Sequence, residues 1–293
     1  MERELIGNRR NALKFLTASV ASTALMSCSH RGANSGGSTG LSPGISTYTV
    51  RSLLEERPLQ TAEWLCRLGF REFEFYAAGY FGHEPSEWRS VLADLGASAP
   101  SRMVRIDELR SDPSRIVEDC QSAGHSYLAL GYLHERERRS LDDYRKLADF
   151  FQGVGETLSS ARIQFGYHHH AFELQEMEGK LPLDLLIERT NANAMRLTID
   201  TYHVRRAGLD PIAVLNRYAG RTHALHIKDM ADDGTTMVPA GEGVIDFESI
   251  LSHPGTRMLQ HAFIEHGPQD SPRRAATTGL TNLTRWLGYR SGA

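Results

Sequence analysis

From residue 45 onward, short runs of β-prone apolar residues alternate with longer segments in which apolar positions recur every three or four residues. That rhythm predicts parallel strands joined by crossover helices. The candidate strands span residues 45–50, 72–76, 96–98, 126–130, 162–167, 196–200, 222–227 and 258–265. Helical stretches such as PLQTAEWLCRLG and DPSRIVEDCQSAG start at Asp, Ser or Pro and often end at Gly, residues suited to the first turn and to a left-handed terminus. Residues 230–243 interrupt the rhythm as a polar loop before a short helix at 246–251, and TTGLTNLTRWLGYR closes the chain as a last helix. Eight strands with about eight helices predict an α/β fold, a closed (β/α)8 TIM barrel, whose chemistry sits just beyond the C-terminal ends of the strands.

The N-terminus breaks from this pattern. Residues 1–28 carry Arg9 and Arg10, an apolar run at 15–26 too short to span a bilayer, and the sequence Leu-Met-Ser-Cys ending at Cys28. They read as a twin-arginine export signal with a lipoprotein cleavage box, lipid-anchored at Cys28 and directed to the periplasm. Residues 29–43 are rich in Ser and Gly and read as a flexible linker, leaving 44–293 as the barrel. The chain of 293 residues has a formal net charge of −3 and no basic stripe, which argues against a nucleic-acid partner. Three cysteines, Cys28, Cys66 and Cys120, are too few and too dispersed for a disulfide framework or thiolate cluster. The 13 histidines are more telling, since six of them fall between His168 and His226.

Those histidines gather at strand ends. The fifth strand closes in His168-His169-His170, and alternation puts His168 and His170 on one face with His169 on the other. The sixth closes in Asp200, with His203 just after it; a carboxylate ending an apolar strand needs a cation, a donor or a helix to cap. On the seventh, His226 and Lys228 share a face, with Asp229 at the lip, so that Lys228 can orient an oxygen anion or pair with Asp229. The eighth ends at Glu265, able to bind a metal through one oxygen and abstract a carbon-bound proton with the other. Asp200, His226, Glu265 and one of His168 or His170 thus converge as a mixed nitrogen and oxygen set suited to Mn, Zn, Co or Fe, while the two imidazoles disfavour Mg. Across the ring, Glu74 shares a face with Tyr76 if Phe73 and Phe75 point outward, and it can bind a sugar hydroxyl, act as a second acid/base group or form an interior ion pair. Arg51, Tyr132 and His134 are further substrate-contact candidates.

With these residues in view the chain resembles the sugar phosphate isomerase/epimerase-like superfamily, whose fold is the xylose isomerase-like TIM barrel. The resemblance runs from about residue 44 to 288 and rests on EFEFYAAGYFG, GYHHHAFEL, LTIDTYHVRRAGLDP, YAGRTHALHIKDM, GEGVIDF and IEHG. It implies a divalent metal over the barrel mouth, with Asp200, His226 and Glu265 at ligand positions. The fifth-strand ligand is often glutamate in the epimerase branch, whereas this chain offers His168 and His170, which removes one of the paired glutamates used there for two-sided proton transfer.

The leading expectation is a metal-dependent sugar isomerase or epimerase that abstracts a proton through an enediolate on a carbohydrate or keto-sugar. Glu265 is the preferred base, His203, His168 or Glu74 returns the proton or orients the substrate, and Lys228 steadies an oxygen anion. Two alternatives accompany it: a metal-dependent lyase, dehydratase or keto-glycoside-processing enzyme, and a non-catalytic exported sugar-binding lipoprotein.

Overall fold

The computed structural model describes residues 40–267 and 271–288, so the segments expected to be an export signal, a Cys28 anchor and nearly all of a linker lie outside the described residues. Ten strands lie among the described residues: β1 (Pro43–Ser46), β2 (Glu72–Phe75), β3 (Ser98–Val104), β4 (Tyr127–Leu130), β5 (Gln164–His168), β6 (Arg196–Asp200), β7 (Thr222–Ile227), the short β8 (Asp229–Met230) and β9 (Met237–Val238), and β10 (His261–Ile264). Seven of them and β10 close a barrel in the order β1-β10-β7-β6-β5-β4-β3-β2, every pairing parallel. Around it lie α1 (Arg51–Glu56), α2 (Pro58–Leu68), α3 (Pro85–Asp94), α4 (Ile106–Ser111), α5 (Pro113–Ala123), α6 (Leu141–Ser160), α7 (Pro182–Arg189), α8 (Thr201–Arg206), α9 (Pro211–Arg217), α10 (Phe247–Ser252) and α11 (Pro272–Trp286). No helix among the described residues is long and apolar enough to cross a membrane.

The helices start where local chemistry favours them. Proline opens α2, α3, α5, α7, α9 and α11, and side chains of Asp112, Ser140, Asp210, Asp246 and Ser271 accept first-turn N–H groups. The strands alternate between two cores. Outward residues such as Phe73, Phe75, Phe165 and Ile199 pack under the helices. Inward, Tyr127, Ala129, Ala224 and Phe263 form a separate apolar plug in the lumen. The plug requires a gap in β5: a Cβ on Gly166 would lie 1.9 Å from the Tyr127 hydroxyl, which bonds Thr198 Oγ1 at 3.0 Å. The site therefore rests on a filled floor.

Three strands depart furthest from the boundaries expected of the sequence, while the second, fourth and fifth differ by one or two residues at an end. The first begins at Pro43, with Leu41 already buried, and gives way at Thr47 to a 3-10 turn through Val50. Thr47 Oγ1 accepts the Tyr76 N–H and Thr49 Oγ1 donates to the Ile264 carbonyl, bonds that draw the chain out of extended geometry. The third runs seven residues, because a register shift between Glu72 and Glu74 lets the sheet accommodate Pro100, which has no N–H to donate. The last starts only at His261, after a 3-10 turn at Pro254–Thr256. The polar loop after β7 is a small antiparallel hairpin of β8 and β9.

Candidate functional site

At the C-terminal ends of β5, β6, β7 and β10 the side chains of His168, Asp200, His226 and Glu265 meet, each offering one ligand atom, all within 4.8 Å of one another. Strand register sets this directly, since Asp200 and His226 are Cα partners and Phe263, two residues before Glu265, pairs with His226. His168 Nε2 lies 3.4 Å from Asp200 Oδ2, and His226 Nδ1 lies 3.9 Å from that oxygen and 3.1 Å from Glu265 Oε2. All four are buried.

The far side of each residue is already committed. His168 Nδ1 donates to the Gly131 carbonyl at 3.2 Å, which orients the ring and turns Nε2 toward Asp200. His226 Nε2 donates to Glu74 Oε1 at 2.7 Å, which leaves Nδ1 buried and facing the cluster. Asp200 Oδ1 accepts the His203 N–H at 2.9 Å, so the same carboxylate caps α8 and turns Oδ2 inward. Histidines held by one nitrogen, with the other aimed at converging carboxylates, are the arrangement of a metal site with its supporting shell. The two imidazoles and two carboxylates fit a divalent cation of the Mn, Fe, Co or Zn type.

Electrostatics favour positive charge here. Burial would lower the His226 imidazole, but the Glu265 and Glu74 carboxylates outweigh it and hold it up to about 10. Burial likewise opposes the Lys228 ammonium, yet Glu265 at 2.8 Å and Asp200 at 3.5 Å raise it above its ordinary value. In return, although burial pushes both carboxyls up, Lys228 draws Asp200 and Glu265 well below the usual carboxylate range, helped by His203 at Asp200 and by His226 at Glu265. His203, whose Nε2 is 4.0 Å from Asp200 Oδ2, is lowered by burial to about 4 and is neutral at physiological pH.

Above the cluster opens a cavity of about 440 Å³ bordered by His168, His170, His203, Lys228 and Glu265, with Tyr48, Tyr76, Tyr132, His134 and Met237 among its outer wall. Its size is that of a small-molecule site. Glu265 is the one carboxylate bordering it among the described residues.

The two histidines left open by alternation separate in the structure. β5 ends at His168, and His170 leaves the pleat as the residue before a 3-10 turn, so His168 joins the cluster while His170 borders the cavity. Glu74 is fully buried, accepts from Ser101 Oγ at 2.7 Å as well as from His226, and does not reach the cavity. Lys228 pairs with Glu265 and Asp200 rather than Asp229, whose carboxylate accepts the backbone N–H groups of Met230, Gly241, Gly243 and Ile245 and so folds the hairpin beside the mouth. Tyr132 and His134 line the cavity, while Arg51 instead covers the Tyr48 ring at 4.2 Å and donates to the Tyr48 carbonyl. Sequence reasoning missed Ser101 and His169, whose Nε2 accepts the Asp200 N–H at 3.2 Å, because both act through partners distant along the chain. It also missed Tyr48 and Met237, for which position near a strand end was the only signal.

Comparison with known proteins adds to this geometry. A family model described as the xylose isomerase-like TIM barrel matches residues 65–254. An inosose dehydratase of Geobacillus kaustophilus (strain HTA426) is 26% identical over 253 residues, covering 72% of this chain and 77% of that protein. An inosose dehydratase of Clostridium beijerinckii (strain ATCC 51743 / NCIMB 8052) is 30% identical over 128 residues, 38% of this chain and only 42% of that relative's length. Among solved structures, a sugar phosphate isomerase/epimerase from Parabacteroides distasonis ATCC 8503 superposes with a TM-score of 0.70 at 19% identity, covering 86% of this chain and 96% of that one. The IOLI protein with a binding zinc atom superposes at 0.67 and 14% identity, covering 86% and 100%. At such identities the structures share the fold.

Proposed function

The chain belongs to the xylose isomerase-like TIM barrel family, and from that premise we propose that it is a metal-dependent lyase that removes water from a cyclic polyol ketone of the inosose type. The observation that carries this reading is the single carboxylate at the cavity. The paired-carboxylate form of epimerisation needs a carboxylate on each face of the substrate carbon, and Glu74, the second candidate carboxylate, is enclosed by His226 and Ser101. Elimination needs only one such group. The similarity to inosose dehydratases supports the same choice over the isomerase or epimerase expected first.

His168, Asp200, His226 and Glu265 would hold the cation, which when bound supplies Lewis acidity toward the substrate's carbonyl and neighbouring hydroxyl oxygens. The chain's own groups do the rest. Glu265, kept ionised beside Lys228, accepts the proton from the carbon next to the carbonyl. The Lys228 ammonium stabilises the negative charge that then develops on the carbonyl oxygen. As that charge returns to form the C=C bond, the C–O bond at the adjacent carbon breaks, and the Glu265 carboxyl gives its proton to the departing hydroxide. One water leaves and Glu265 is regenerated. Neutral His203, bordering the cavity, orients a substrate hydroxyl through its ring N–H.

The test is mass spectrometry of inosose incubated with the Mn-, Co- or Zn-loaded protein. Dehydration gives a product lighter by one water; an isomerase or epimerase gives product of unchanged mass, and a non-catalytic binding protein returns the substrate intact.

A further inference from the structure

His170 borders the cavity but stands one ring away from the cluster, its centroid 4.8 Å from His168 and 4.4 Å from His203. Its surroundings hold it unusually firmly. One face lies parallel to Phe172 at 5.3 Å, and the Tyr132 ring meets it edge-on at 4.9 Å. The Arg138 guanidinium covers Phe172 at 3.6 Å while Nε donates to the Leu133 carbonyl, tying the turn after β5 to the loop after β4. From below, Glu173 Oε2 accepts the His170 N–H at 2.8 Å, and Oε1 accepts the hydroxyls of Tyr167 at 2.5 Å and Tyr144 at 3.3 Å. Rigidity of this kind is what positions a group against a ligand.

The ring nitrogens are not equivalent. Nδ1 is buried without a hydrogen-bond partner. A proton placed there would be a buried donor with no acceptor, which is unfavourable, so the neutral ring carries its proton on Nε2, the nitrogen left to face the cavity. We propose that His170 is a specificity-determining residue, donating from Nε2 to a ring hydroxyl of the substrate remote from the two carbons between which water is lost, while Tyr132 and Phe172 hold the imidazole in place. This rests on the reading of the site as one for a cyclic polyol ketone.

The experiment compares wild type, His170→Phe, which keeps an aromatic ring but removes the donor, and His170→Gln, which restores an N–H donor without the ring. Each is assayed on inosose and on analogues in which one ring hydroxyl at a time is replaced by hydrogen. The expected result is a KM for inosose raised about 10- to 100-fold in His170→Phe, with kcat changed less than about threefold, metal content unchanged and part of the loss recovered in His170→Gln. Wild type should show a similar loss on one deoxy analogue alone, on which His170→Phe suffers no further penalty. A fall in kcat at constant KM, loss of bound metal, or no analogue on which the two losses merge overturns the assignment. If wild type does not dehydrate inosose, the lyase reading fails separately. Calorimetric binding of inositol, the parent polyol, then decides: weakening in His170→Phe sustains the contact, and equal affinity in both proteins, or no binding to either, overturns it.

Discussion

Of the three roles that the sequence leaves open for Glu74, Glu74→Gln tells the interior ion pair from the proton-transfer group. Glu74 Oε1 accepts from His226 Nε2 at 2.7 Å and its Oε2 from Ser101 at 2.7 Å, both partners fully buried. Glutamine preserves the shape. Its amide oxygen can still accept from His226, and the Ser101 hydroxyl can rotate to accept from the new NH2, so only the charge is lost. Charge-assisted hydrogen bonds are about twice as strong as neutral ones, and a bond to a charged group contributes about 1.5–3 kcal/mol. The substitution should therefore remove about 1–2 kcal/mol of support for His226 as a ligand, in line with the roughly 10- to 100-fold losses of metal affinity seen when such supporting carboxylates are replaced. The assay is metal titration against a competing chelator, with turnover measured at saturating metal. We expect weaker binding by about 10-fold or more and activity largely restored when metal is in excess. Unchanged metal affinity with abolished turnover would refute the reasoning and make Glu74 a proton-transfer group.

Lys228→Met should retain the metal, since it removes a competing cation, yet lower turnover by about 100-fold or more because the developing oxygen anion loses its partner; steady-state kinetics at saturating metal checks this. Gly166→Ala should destabilise the protein by about 3 kcal/mol or more, read from the chemical-denaturation midpoint, because the new methyl group would overlap the buried Tyr127 ring. His125, whose Nδ1 donates to the Ala99 carbonyl at 2.6 Å, is held by burial and nearby Arg102 down to about 4. Between an unfolded pKa of about 6.5 and that value the unfolded chain binds the proton and the folded chain does not, so stability should fall by about 3 kcal/mol as pH drops across that window, and the slope should be shallower in His125→Asn.

Much of the barrel is visible in the chain because each face of a strand repeats every second residue. Phe73 and Phe75 point to the helices with Glu74 inward, as FEF suggests, and Asp200 ends its strand while Glu265 directly follows the last residue of its own, where the apolar runs stop. The choice between His168 and His170 was not legible, since alternation holds only while the chain remains extended and the strand ends between them. The third strand runs on through Pro100 to Val104, past the 96–98 that the sequence suggests, because a bulge in the register accommodates a residue with no N–H to donate. The destination of Glu74 depends on His226, 152 residues away, and that of Asp229 on glycines of a loop that reads only as polar. Pairings across the barrel require closure, which no local pattern encodes.

The central claim is that His168, Asp200, His226 and Glu265 share one divalent cation. Anomalous diffraction at the absorption edge of the added metal, from crystals grown with Mn, Co or Zn, tests it most directly. The account predicts a single strong peak bonded to His168 Nε2, Asp200 Oδ2, His226 Nδ1 and Glu265 Oε2; a cluster with no peak, or a metal held elsewhere, would contradict it.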